Sequence, residues 1–161
     1  MPSRPPQFRE TVEAYYKAME ELSLILLHIF AVALGLEEHW FDAKMQHHMS
    51  ALRLLNYFPV AKSTRGIRAS AHTDYGAMTI LKSRGPGLQV KKDLGGVQWV
   101  DVPDLPDAFI INIGDMMQRW TNGACSVLFS IDRLTDLLSL SHTPRGRPMG
   151  FYVTSSDCGT G

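Results

Sequence analysis

The sequence predicts an α+β fold in which N-terminal helices pack against antiparallel strands arranged as a barrel or sandwich. Three observations carry this reading. Apolar residues recur every three or four positions over residues 8–34; after Ser50 the chain changes to short runs of strand length separated by glycine and proline; and residues 109–113 form a run that is almost wholly apolar.

In the first segment Phe8, Val12, Tyr15, Met19, Leu22, Leu26, Ile29 and Ala33 define the apolar stripe of one amphipathic helix. Gly35 is its natural stop, because glycine adopts the left-handed conformation that ends helices. Glu37 and Glu38 are expected to open a short second helix carrying Trp40 and Phe41, their charges favourable at its N-terminus. His28 reads as a packed or interfacial histidine, and His39, His47 and His48 are expected to face solvent. Beyond Ser50, residues 51–57, 77–81, 88–91 and 97–102 have strand length, with turns at Gly85-Pro-Gly87 and Gly95-Gly96. Residues 109–113 read as a strand buried on both faces. Gly114-Asp115 reads as a turn and helix cap, and Trp99 and Trp120 as packing residues. From Ser126 onward, Val127, Ile131, Leu134 and Leu138 repeat at helical spacing.

At 161 residues the chain is long enough for one domain with a real core, and 45% hydrophobic content is ordinary for a globular protein. Sixteen basic and sixteen acidic residues cancel, which argues against a nucleic-acid footprint or a polybasic membrane patch and for a small-molecule partner. The longest apolar segment, 22–34, is interrupted by Ser23 and His28 and is too short to span a bilayer. Cys125 and Cys158 are too few for a disulfide framework, so a reducing, cytoplasmic compartment is expected. Oligomeric state is not encoded in any of these features.

Chemistry concentrates at His72-Thr-Asp74, within Ala-His-Thr-Asp-Tyr-Gly-Ala-Met-Thr-Ile-Leu. On an extended backbone, side chains two positions apart point to the same side, so an imidazole nitrogen and a carboxylate oxygen can meet one metal ion. Two such ligands plus a distant histidine would form the facial triad used by non-haem Fe(II) sites. Alone, His-x-Asp is a common chance pairing. Its surroundings are more specific: Leu-Arg-Leu-Leu-Asn56-Tyr57-Phe-Pro59 upstream, then Gly87-Leu-Gln-Val, Trp99-Val-Asp-Val-Pro103 and Asn112-Ile-Gly114-Asp115-Met-Met-Gln-Arg-Trp120-Thr-Asn122-Gly123.

In this order and spacing the segments resemble the 2-oxoglutarate and Fe(II)-dependent oxygenases of the isopenicillin N synthase-like family, from about Phe8 to Gly123. The resemblance implies an incomplete double-stranded β-helix, or jelly roll, with the N-terminal helices packed against it. The chain then divides into a helical region (1–49), a partial oxygenase core (50–123) and a divergent tail (124–161). It implies Fe(II) as metal, 2-oxoglutarate as cosubstrate, O2, and a small organic substrate that is hydroxylated, desaturated or cyclised. His72 and Asp74 would hold the metal, with Asp74 ionised and His72 neutral. Asn56 matches a family residue beside the cosubstrate. The aromatic hydroxyl expected two positions later is Phe58 here, leaving Tyr57 as the replacement. Thr79 and Asn112 fall near the site or are simply structural.

The tail departs from the family pattern. The second metal histidine would fall near position 130, which is Ser130, and His142 is the remaining candidate for the third ligand. The family's Arg-x-Ser clamp for the distal carboxylate of 2-oxoglutarate does not occur downstream. Arg68-Ala-Ser70 has the spelling but precedes His72, and Arg133-Leu-Thr135, Arg145 and Arg147 are the substitutes. Family members are about twice as long, so the chain reads as a fragment or short gene product, and the segment after Gly123 as an altered splice or shifted frame. Lacking closing strands, its sheets should expose open edges. Three functions are therefore expected: an Fe(II)- and 2-oxoglutarate-dependent oxygenase, inactive in this short form if the triad is incomplete; a catalytically silent fragment or pseudoenzyme acting as a binding module; and a cupin-like metal-binding protein without 2-oxoglutarate chemistry.

Overall fold

The computed structural model describes residues 5–56, 67–83, 85, 87–93, 97–126, 130–133 and 149–153. Helix α1 spans Phe8–Ala33, as the periodicity predicts. Its buried ridge is Met19, Ser23, Leu27 and Ala31, spaced by four. Ile29, expected on that ridge, is 59% exposed. The 22–34 segment is apolar almost all round, so its period specifies a helix without specifying which face turns inward. The buried Ser23 hydroxyl is satisfied by donating to the Glu20 carbonyl, 2.7 Å away. At the C-terminus Gly35 takes φ +72°, and the Gly35 and Leu36 N–H groups donate to the Val32 and Ala31 carbonyls, a Schellman closure.

Glu37 and Glu38 do not open the second helix. Residues 38–41 are turns, and α2 is a single turn, Asp42–Met45. The fully buried Phe41 precedes it and lies 5.9 Å from the Trp120 ring, bearing out the packing role read for that tryptophan. His48 is half-buried rather than solvated. Its Nε2 lies 3.2 Å from Glu20 Oε1 and its Nδ1 2.9 Å from Ser50 Oγ. Tyr16 Oη donates to the Ser50 carbonyl at 2.8 Å, and burial, with the nearby Glu20 carboxylate adding to it, raises that phenol above its ordinary range. These contacts tie α1 to the chain entering the sheets.

The strands are β1 (Ala51–Leu54), β2 (Ile67–His72), β3 (Met78–Lys82), β4 (Leu88–Asp93), β5 (Val97–Asp101) and β6 (Ile110–Ile113), followed by helix α3 (Asp115–Trp120), β7 (Ser130–Arg133) and β8 (Met149–Val153). They form two four-stranded antiparallel sheets, ordered β1-β8-β3-β6 and β2-β7-β4-β5. Strand β6 is an edge, with Phe109 just before it 41% exposed and Ile111 38% exposed, not a strand buried on both faces. The helix expected from Ser126 is also absent at 130–133, which is strand β7. Inserted between β2 and β4, this segment pairs its backbone on both sides, and that pairing outweighs a short helical spacing. Strand β8 likewise lies between β1 and β3. The sequence after Gly123 therefore supplies one of the two inner strands of each sheet, while β1, β6, β2 and β5 remain edges among the described residues.

The core joins Leu27 and Ala31 of α1, Phe41 and Met45 at α2, Met78 and Ile80 of β3, and Met117 of α3. It holds β3 and the start of α3 against the helices, and the segment between β2 and β3 is anchored there. Among the described residues no helix is long and apolar enough to cross a membrane.

Candidate metal centre

His72 is the last residue of β2, and Asp74 lies two residues on, in the connection to β3. The extended segment predicted to hold both thus ends between them, and hydrogen bonds from other elements complete the convergence. Asp74 Oδ2 accepts from Thr79 Oγ1 at 2.6 Å and from Asn112 Nδ2 at 2.8 Å. Thr79 and Asn112 face each other across the β3–β6 ladder, so one cross-strand pair supplies both donors. His72 Nδ1 lies 2.8 Å from the Ser70 carbonyl. A carbonyl only accepts, so Nδ1 carries the proton and Nε2 presents its lone pair. That lone pair faces Asp74 Oδ1 at 3.7 Å. The gap is too long for a hydrogen bond yet shorter than two metal–ligand bonds of about 2.0–2.2 Å placed end to end. The Asp74 side chain is 13% exposed and that of His72 50%, so the carboxylate sits within the protein and the imidazole opens outward.

The backbone behind Asp74 is equally constrained. Asp115 N–H donates to the Asp74 carbonyl at 2.7 Å, Met116 N–H to the Gly76 carbonyl at 3.2 Å, and Gly114 N–H to the Ala77 carbonyl at 3.0 Å. Gly114 has an ordinary φ of −101°. Its side-chain position is closed, because a Cβ there would collide with the Gly76 carbonyl oxygen and lie 2.6 Å from that of Asp74. Sequence reasoning missed this role; the Asn-Ile-Gly-Asp spelling was its only signal. Asp115 was expected to cap α3, but α3 has no side-chain cap, and the Asp115 carboxylate instead accepts from Thr73 Oγ1 at 3.2 Å.

The family model of the 2OG-Fe(II) oxygenase superfamily matches residues 49–132, just over half of the sequence and all of this scaffold. The chain belongs to that superfamily. Among curated relatives, the oxoglutarate-dependent flavonoid 7-O-demethylase 1 of Ocimum basilicum is 40% identical over 126 residues, covering 76% of this chain and 33% of the relative. The 2-oxoglutarate-dependent dioxygenase citB of Monascus ruber is 41% identical over 123 residues, covering 72% and 37%. The chain thus spans about a third of the length of these relatives. Among solved structures, JOX2 in complex with 2OG, Fe and JA superposes with a TM-score of 0.81 at 28% identity, covering 98% of this chain and 45% of that one. A 2OG-Fe(II) oxygenase family protein from Caulobacter crescentus gives 0.83 at 28%, covering 96% and 49%.

The other predicted positions fall as follows. Asn56 is exposed, two residues beyond β1. Tyr57, His142, Arg145 and Arg147 lie outside the described residues. Arg68 is on β2, ahead of His72, and Arg133 ends β7. Ser130, where the resemblance places the second metal histidine, is the Cα partner of His72. Strand β7 thus brings a serine beside His72. Among the described residues no further His, Cys, Asp or Glu joins His72 and Asp74 as a three-ligand group.

Proposed function

We propose that this chain is the metal-binding part of an Fe(II)- and 2-oxoglutarate-dependent oxygenase acting with O2 on a small organic substrate in the cytoplasm, its two sheets being the halves of a double-stranded β-helix. His72 Nε2 and Asp74 Oδ1 are the proposed metal ligands. A single observation carries the assignment: the other polar atom of each side chain is already committed, Nδ1 to Ser70 and Oδ2 to Thr79 and Asn112, leaving one lone pair from each facing the other. Metal-bound histidines and carboxylates are held in this way by their outer partners. A nitrogen–oxygen pair suits Fe(II), and bound with 2-oxoglutarate it would supply oxidative decarboxylation coupled to substrate oxidation. The residues of this chain orient the ligands, keep His72 in the coordinating tautomer and hold the Asp74 carboxylate in place. His142 is assigned as the third ligand, and Asn56 and Tyr57 as contacts of the cosubstrate.

The test is anaerobic addition of Fe(II) and 2-oxoglutarate to the purified chain. A weak visible charge-transfer band is expected, absent in His72→Ala and in His142→Ala. A second reading, the catalytically silent binding module, is favoured by Ser130 opposite His72. It predicts no band and no Fe(II) binding that depends on His72.

A further inference from the structure

A second group of metal-ligand side chains lies between α1 and α2. His28 Nε2, on α1, is 2.8 Å from Asp42 Oδ1, and His39 Nδ1, in the turn before α2, is 3.1 Å from Asp42 Oδ2. The two imidazoles meet edge to face, with centroids 4.6 Å apart at 80°. One ligand atom from each residue falls within 4.8 Å of the other two, the one such three-residue group among the described residues. We propose that His28, His39 and Asp42 bind a divalent transition-metal ion of the zinc class, at a site separate from His72 and Asp74.

The chemistry of the donors supports this. Two imidazoles and a carboxylate are the ligand types of three-ligand zinc sites, whose bonds of about 2.0–2.2 Å place neighbouring donors roughly 3.3 Å apart in a tetrahedron. Here each imidazole nitrogen lies within half an ångström of that distance from an Asp42 oxygen, His28 from Oδ1 and His39 from Oδ2, and all three ligand atoms lie within 4.8 Å of one another, so a small turn of the side chains completes the set. Two imidazoles select zinc, nickel, copper or iron over magnesium and calcium, which prefer oxygen donors. The three donors already converge from a helix, a turn and the first residue of α2. His28 is half-buried, so the site is partly shielded, while His39 opens it to solvent. On binding, each coordinating nitrogen must be unprotonated, so the ring proton resides on Nδ1 of His28 and on Nε2 of His39. Sequence reading placed His28 as a packed histidine and His39 in solvent. Both placements hold, and what it missed is that Asp42 unites them.

The experiment is zinc titration of the untagged, chelator-treated full chain against a chromophoric competitor. In a His72→Ala/Asp74→Asn background, which silences the other site, about one equivalent of Zn2+ should bind, and Mg2+ should not compete. Adding His39→Gln should weaken that binding at least tenfold. His39 is 68% exposed at its side chain, so this replacement should leave the fold and its circular dichroism unchanged. Should the background variant not fold, the wild-type chain is compared with His39→Gln alone, which should lose one equivalent. Absence of zinc binding in the folded background, or affinity unchanged by His39→Gln, would overturn the assignment.

Discussion

Lone-pair availability at His72 and Asp74 is set by donors and acceptors that would not themselves touch a metal bound there. Thr79 and Asn112 both bind Asp74 Oδ2, so removing either lets the carboxylate turn and Oδ1 lose its aim at His72 Nε2. Thr79→Val, which keeps the shape but not the hydroxyl, and Asn112→Leu are expected to lower Fe(II) affinity about 10–100-fold. Mn(II) or Fe(II) binding isotherms on the folded variants measure this, and affinity within twofold of wild type would reject the positioning role. The His-x-Asp spacing announces the pair at this scale, and side-chain alternation accounts for their closeness. It cannot show which nitrogen is free, because that depends on the Ser70 carbonyl, nor that Thr79 is more than a strand former, because that depends on its hydroxyl reaching back across the turn to Asp74 Oδ2.

At the scale of elements, Gly114 joins β6 to α3 at the point where both press on the segment holding Asp74. Gly114→Ala would force a methyl group into the Gly76 and Asp74 carbonyl oxygens, and backbone cannot yield as a flexible side chain does. A loss of about 1–3 kcal/mol in stability is expected, read from the denaturant midpoint, together with weakened metal binding as the Asp74 carbonyl is displaced. An unchanged midpoint would mean that the junction relaxes freely. Helix α1 and the strands near 51, 78, 88, 97 and 110 are legible because period and turn chemistry are local properties. The buried face of α1 is not, since Leu22, Leu26, Leu27 and Ile29 offer more than one apolar phase. Strand β2 is implied by the geometry asked of His72, yet β7 and β8 escape notice because their stability comes from neighbours distant in sequence.

For the whole molecule, the tail decides whether the two sheets exist. Among the described residues, β8 is the sole strand neighbour of β1 and also flanks β3, while β7 is the sole strand neighbour of β2, the strand that ends at His72. A chain ending at Gly123 therefore strands β1 and β2 with unpaired backbone on both edges, which invites pairing with other chains. Such a truncation is expected to elute as soluble aggregate, to lose cooperative unfolding and to bind no Fe(II). A gentler test leaves the length intact: Phe151, opposite Leu52 of β1 and Ile80 of β3, occupies the centre of the inner strand. Phe151→Pro removes a backbone donor where no edge is available to tolerate it, and should reproduce the truncated phenotype in size-exclusion and circular dichroism measurements. If either variant remained monomeric with wild-type metal affinity, β7 and β8 would be accessory, and residues up to Gly123 would suffice to hold the His72–Asp74 pair. If both collapse, the segment that departs most from the family pattern is the one that keeps the recognisable part folded.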